Sequence, residues 1–422
     1  MQQKFASIGL RLYTRGMLFM CLISLGGCSK EQAKDSKTAV NEPARDKKKV
    51  STAQTDGHKR MLALLAQIKD ELPTNNPVLG ERGVREMEKR FKELFPLRIP
   101  DRIVAGYQLG KHYLRLGKNQ LAAKTWGDAL LLVDKIPGQV PPDFIENLTY
   151  QLGLAHFRIG EKENCVAGHN EDSCLFPIRG KGVHKHKEGA REATRYFLNV
   201  LKLNPNHLKS RWLLNIAYMA LGEYPSQVPS KHRIPEKSFR SEESFPRFYD
   251  RAPSLGLDIV TLAGGAAAED FNGDDYLDIV VSTWNPAGQI RIFMNTKDGL
   301  FEEQTSQAGL DGIYGGLNLI HADYNNDGHE DILVLRGAWL GPAGRMPNSL
   351  LKNVGQGKFK DVTFDVGLGE VHYPTQTAAW ADYDLDGDLD LYVGNENFPN
   401  QLFENVGGEK FTDVGPKAGV NS

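Results

Sequence analysis

One nine-residue loop occurs three times in this chain, as DFNGDDYLD (Asp270–Asp278), DYNNDGHED (Asp323–Asp331) and DYDLDGDLD (Asp382–Asp390). The loop starts are 53 and 59 residues apart. Carboxylates packed this densely repel one another unless something neutralises them. Each loop runs into a β-branched or apolar stretch (IVVSTW, ILVLRGAW, LYVGNE), then into a second signature: IFMNTKDGLFEEQTSQAGL, LLKNVGQGKFKDVTFDVGL and LFENVGGEKFTDVGPKAGV. Short strand-like runs between Gly/Asn-rich turns read as hairpins. Their recurrence at a period in the fifties points to a β-propeller with about one blade per repeat. The lead-in FYDRAPSLGL, from Phe248, copies the tail of the second signature.

The period also says what the aspartates are for. Positions 1, 3, 5 and 9 are Asp270, Asn272, Asp274 and Asp278, then Asp323, Asn325, Asp327 and Asp331, then Asp382, Asp384, Asp386 and Asp390. All offer side-chain oxygen, and alternate residues of a tight loop can converge. Position 7 (Tyr276, His329, Asp388) adds a backbone carbonyl. Six to eight oxygens at ~2.4 Å suit Ca2+. Gly328 and Gly387 at position 6 permit a sharp turn, whereas the first loop has Asp275 there. An EF-hand is excluded, because position 12 is Val281, Val334 or Val393, inside a strand run rather than a Glu before a helix. The simpler alternative is three hydrated Asx turns.

A chain of 422 residues is too long for one ordinary core. The net charge of −2 conceals two unlike halves: from Phe248 onward there are 10 Lys/Arg against 27 Asp/Glu, and before it 41 against 26. Such a split fits two modules, and the acidic one is unsuited to nucleic acid. In the basic half, Leu109, Gly110, Tyr113, Gly117, Ala122, Trp126 and Ala129 fall at a spacing that resembles a tetratricopeptide repeat. A second unit starts at YQLGLAHFRIG, with Gly153 and Gly160, and finds its partner helix in EGAREATRYFLNVLKLNP, with Ala193, Phe197 and Pro205. A third starts at RWLLNIAYMALG and ends at Gly222. Stacked pairs of this kind form peptide-binding surfaces or spacers.

An insertion (161–188) separates the second pair. It holds Cys165 and Cys174, for which a disulfide is the default outside the cytoplasm. A metal site with His169, His184 and His186, or thiols, are the alternatives. Residues 225–247, rich in Pro, Ser and charge, read as a linker. At the N-terminus, Lys4, Arg11 and Arg15 precede a short apolar run that suits a signal peptide. It ends in LGGC, Leu25 to Cys28, which resembles a bacterial lipobox. The resemblance implies a signal peptide over 1–27, lipid on Cys28 and membrane attachment; Ser29 favours the outer membrane, with no choice between periplasmic and surface-facing orientation. An ordinary secretory signal is the alternative. Residues 28–57 are too polar to bury a core and read as a flexible tether.

LAGGAAAEDFNGD and YGGLNLIHADYNND carry glycine pairs before the loop, and the third copy departs with PTQTAAWADYDLDGD. This pattern resembles the FG-GAP (VCBS-type) repeat. With the helical repeats and ENCVAGHNEDSCLFPIRGKGVH, the chain resembles bacterial lipoproteins of the ASPIC/UnbV, cartilage-acidic-protein-like group. The expected fold is α+β multidomain: tetratricopeptide-like helices over 58–224, then an incomplete all-β FG-GAP propeller of about three blades over 248–422. Three cycles do not close a ring, so the expectation is a truncated product or a ring completed by another chain.

No GxSxG, HExxH, P-loop or CxxC motif is present. His321 and His372 near the loops, and Arg336 and Arg345, are candidates for a channel or an acidic ligand, against the plainer reading of packed or solvated side chains. The leading expectation is a non-catalytic, calcium-stabilised, lipid-tethered binding module for a protein or glycan. The alternatives are an extracytoplasmic enzyme with its catalytic residues in further blades, and an assembly factor that docks partners through its helices.

Overall fold

The computed structural model describes residues 56–93, 98–170, 172–173, 175–240, 242–243, 246 and 248–421. The expected signal peptide, Cys28 and nearly all of the tether lie outside these residues, as does Cys174.

Small residues set the helix crossings. Helices α1 (Gly57–Asn75), α2 (Arg82–Glu93), α3 (Ile99–Arg115), α4 (Asn119–Val133), α5 (Pro142–Glu161), α6 (Glu188–Leu203) and α7 (Leu208–Leu221) run in sequence. Where α3 meets α4, a Cβ on Gly110 would stand 2.3 Å from Trp126 Nε1. That nitrogen donates to the Tyr107 carbonyl at 3.0 Å, and Trp126 is fully buried. The α5–α6 crossing repeats the device, with Phe197 against Gly153 and the Gly189 backbone against Gly160. Gly222, at φ +74, ends α7 in a left-handed cap. Among the described residues, no helix is long and apolar enough to cross a membrane.

Two stretches depart from the expected domain borders. Helix α1 opens the helical region in sequence but packs with the strands: Met61 and Leu65 are buried among Phe271, Val280, Ile292, Val334 and Phe359. Its apolar positions recur at helical spacing and meet a sheet surface instead of a second helix. Around them, Asp361 N–H donates to His58 Nδ1 at 3.1 Å, Arg60 lies 3.9 Å over Phe364, and Lys69 donates to the Tyr314 hydroxyl at 3.1 Å. The second stretch is the expected linker, whose first half is strapped onto α7. Buried Asn215 donates to the His232 carbonyl and accepts from Ile234 N–H, both at 3.0 Å, and Val228 is buried. Its polar composition conceals this because the strap is held through its backbone, by the Asn215 and Arg211 side chains of α7.

The C-terminal region is all-β. Three antiparallel four-stranded meanders follow one another: β1 (Ala263–Glu269), β2 (Asp278–Thr283), β3 (Arg291–Asn295) and β4 (Phe301–Glu303); β5 (Asn318–Ala322), β6 (Asp331–Leu335), β7 (Ser349–Asn353) and β8 (Phe359–Asp361); β9 (Thr375–Ala381), β10 (Asp390–Asn395), β11 (Gln401–Val406) and β12 (Lys410–Asp413). The middle sheet is covered on both faces. Ile332 and Val334 of β6 face the first sheet's Val280, Ile292 and Met294. Leu333 and Leu335 face the third sheet's Leu391, Val393 and Phe403. This explains why DILVL is apolar without alternation.

Candidate metal centre

Each aspartate loop is the hairpin between the first two strands of a sheet. It is closed by the pairs Glu269↔Asp278, Ala322↔Asp331 and Ala381↔Asp390. All three turn in the same way, through left-handed backbone at positions 4 and 6: Gly273 and Asp275, Asn326 and Gly328, Leu385 and Gly387. The position-6 glycines were legible in the sequence. Position 4 was not, because it is Gly, Asn and Leu in turn. Asp275 takes up the turn at φ +67, so lacking glycine does not spoil the first loop.

The first carboxylate organises the turn. Asp270 accepts from the N–H groups of Gly273, Asp274 and Asp275 at 2.7–3.0 Å. Asp323 accepts from Asp327 and Gly328, and Asp382 from Asp386 and Gly387. Burial opposes charge on Asp270, but the surrounding N–H groups outweigh it and hold the carboxyl below its ordinary range.

Position 9 closes the loop. Asp278, Asp331 and Asp390 are 0%, 1% and 2% exposed, so these carboxylates must be satisfied inside the protein. One oxygen of each accepts from the N–H of position 2 (Phe271, Tyr324, Tyr383) at 3.1–3.3 Å. The other accepts from Asn295, Asn353 or Asn405 N–H at 2.7–2.8 Å. Burial pushes the Asp331 carboxyl up to about 7, aided by the charges of Asp327 and Asp323. Burial raises Asp278 as well.

Positions 3 and 5 differ among the loops. Asn272 Oδ1 and Asn325 Oδ1 are buried and accept no hydrogen bond. Lys297 lies 3.3 Å from Asp274, and Lys352 lies 3.1 Å from Asp327. In the third loop, Glu404 stands at the strand position of Lys352. There, oxygens of Asp382, Asp384 and Asp390 all lie within 4.8 Å of one another. Asp384 is raised, by desolvation and then by the charges of Asp386 and Asp390. At position 7, Tyr276 and His329 are exposed, while the Asp388 side chain accepts from Gly407 N–H at 2.7 Å and from Asn326. Asp386 accepts from Asp388 N–H at 2.9 Å. Such oxygen-only sets attract hard cations and offer nothing to soft ones.

Residues 270–334 match the family model described as an FG-GAP-like repeat. The match spans the first two loops. Over 145 residues, 34% of this chain, the sequence is 31% identical to cartilage acidic protein 1 of Xenopus tropicalis, covering 21% of that protein. Over 71 residues it is 34% identical to cartilage acidic protein 1 of Mus musculus and of Homo sapiens, covering 16% of this chain and 11% of each relative. The chain thus spans about a fifth or less of the length of these curated relatives.

Sequence reasoning passed over the asparagines of the second signature. Asn353 Nδ2 donates to the Phe271 carbonyl in the preceding sheet's loop at 2.8 Å, and Asn405 Nδ2 to the Tyr324 carbonyl at 2.9 Å. Their fixed place after IFM, LLK and LFE was the available signal. The other candidates are mostly occupied in packing. Arg336, read as a ligand contact, is buried and donates to Tyr314 O, Pro347 O and Ser349 Oγ. Its burial corrects that reading. His321 pairs with Glu330 at 2.9 Å, and His372 contacts the Gly369 carbonyl at 3.1 Å. In the insertion, Cys165 Sγ lies 3.6 Å from His184 Nε2, while His169 pairs with Asp250 at 2.7 Å. With Cys174 outside the described residues, the expected disulfide is not addressed.

Proposed function

We propose that this protein is a calcium-stabilised binding module, held at the bacterial envelope by lipid on Cys28, whose FG-GAP-like sheets form part of a β-propeller. Its helices act as tetratricopeptide-like units beside the propeller, and its ligand is a protein or a glycan. Calcium serves structure and not catalysis in this reading. The observation that carries it is the pair of buried, unpartnered oxygens at Asn272 and Asn325, together with the converging carboxylates of Asp382, Asp384 and Asp390. A buried amide oxygen without a donor costs about 1–3 kcal/mol, and a cation removes that cost along with the repulsion among the carboxylates. The residues that would hold it are those of positions 1, 3 and 5, with position 9 close by and position 7 lending its carbonyl. The donor set fits calcium in all three loops and fits best in the third, where Glu404 stands at the place of Lys352.

The test is thermal melting of calcium-stripped protein with calcium returned stepwise. Binding to the folded state raises stability by RT ln(1 + [L]/Kd), ~2.7 kcal/mol at a hundredfold excess over Kd. An unchanged melting curve at millimolar calcium overturns the proposal.

A further inference from the structure

In the first two aspartate loops a lysine ammonium already stands at the position-5 carboxylate. Lys297 Nζ lies 3.3 Å from Asp274 Oδ2, and Lys352 Nζ lies 3.1 Å from Asp327 Oδ2. The two lysines reach equivalent carboxylates from different places. Lys352 lies in β7, immediately before Asn353, where the first sheet has the buried Met294 before Asn295. Lys297 lies two residues past Asn295, in the turn after β3, where the other sheets have Gly355 and Gly407. All three hold left-handed backbone there, at φ +67, +94 and +64. Glycine adopts that conformation freely and lysine does not. What lysine adds at this turn is its charge, supplied from the turn in the one sheet where the strand position is apolar.

The third sheet has neither lysine. Glu404 stands at the place of Lys352, and Gly407 at the place of Lys297. This is also the loop in which oxygens of Asp382, Asp384 and Asp390 converge within 4.8 Å.

We infer that Lys297 and Lys352 are tethered counterions that rank the three sites: each holds its own loop together without metal and must leave before calcium enters, whereas the third loop, where glutamate replaces the lysine, fills first and most tightly. The claim rests on the calcium reading above and adds which residues set the order of filling. An ammonium bonded to a carboxylate takes an oxygen that calcium needs, and one left nearby repels the ion. Both lysine side chains are partly exposed, so they can withdraw into water. Ion pairs of this exposure are weak, so displacement lowers affinity without abolishing it. The exchange of lysine for glutamate changes the local charge by two units, which favours the third site further.

The experiment is calorimetric titration of the full, calcium-stripped chain with calcium chloride. One site is expected to bind at least about tenfold more tightly than the other two. Asp384→Ala should abolish that tight site, and Glu404→Lys should weaken it at least about tenfold. Lys352→Met, which keeps an unbranched side chain and drops the charge, should tighten one weak site at least about threefold. The same variant should melt earlier than the parent chain without calcium and level with it at saturating calcium, because the ion replaces the lost ammonium. A lysine that merely stabilises the surface would lower the melting temperature equally in both conditions. Three equal sites, a tight site that survives Asp384→Ala, or unchanged calcium affinity in Lys352→Met would overturn the inference and spare the calcium reading. Neither heat nor a melting shift at millimolar calcium would overturn both.

Discussion

Leu385 holds a left-handed backbone, at φ +63, and leaves 86% of its surface in water. Both features are unfavourable for leucine. In the second loop, Asn326 fills the same place at φ +56. A left-handed conformation costs a residue with a branched, bulky side chain about 1–2 kcal/mol, and asparagine tolerates it. Leu385→Asn should therefore raise stability by about 1 kcal/mol, read as a higher midpoint in urea with an unchanged slope. A second pair of residues tests the bonds between sheets. Asn353 is 1% exposed and serves the carbonyls of both Phe271 and Glu330, whereas Asn295 reaches only the Leu277 carbonyl, at 3.3 Å. Leaving buried carbonyls without donors costs about 1–3 kcal/mol each. Asn353→Ala should thus cost about 3 kcal/mol, and Asn295→Ala about 1. Equal losses in parallel urea titrations would show that the Asn353–Phe271 bond contributes nothing.

Among the elements, the hairpins were legible and their connections were not. Alternate carboxylates followed by IVV, ILV or LYV announce loop and strand, since position 9 is both the last oxygen of the loop and the first residue of the strand. What position 9 does inside the fold was hidden, because its partners, Asn295, Asn353 and Asn405, lie 15 to 22 residues downstream. Docking of α1 on the sheets was likewise illegible: amphipathic spacing identifies a buried face but not what buries it. The helix crossings were readable as small residues opposite large ones, and their energetics can be decided by magnitude. Alanine in place of Gly110 gains about 1 kcal/mol of helix propensity. Its Cβ would enter the Trp126 ring at 2.3 Å, and overpacking of this kind costs about 1–3 kcal/mol. Displacing the ring also strains the bond from Trp126 to Tyr107, worth about 1 kcal/mol. Gly110→Ala should therefore lower stability by about 2 kcal/mol, with loss of the buried-indole fluorescence shift. A neutral or stabilising result would mean that α3 and α4 separate without penalty.

At the scale of the whole molecule, α1 ties the order of the chain to the order of the sheets. Met61 and Leu65 share a core with the first two sheets, while α3 to α7 bury their own apolar faces among themselves. Stability is distributed in cooperative units, each defined by the core it shares. Loosening the aspartate loops releases Phe271 and Tyr324, the position-2 aromatics that are buried between the sheets. On the calcium proposal, removal of the ion should therefore deprotect α1 together with β1 to β12, and leave α3 to α7 protected. Hydrogen exchange followed by peptide mass analysis, with and without a chelator, resolves the two groups. If the peptide covering Met61 keeps its protection while β2 and β6 lose theirs, α1 is not part of the sheet unit. If α3 to α7 open in parallel with the strands, the protein unfolds as one body, and its two regions are divided by sequence and charge but not by stability.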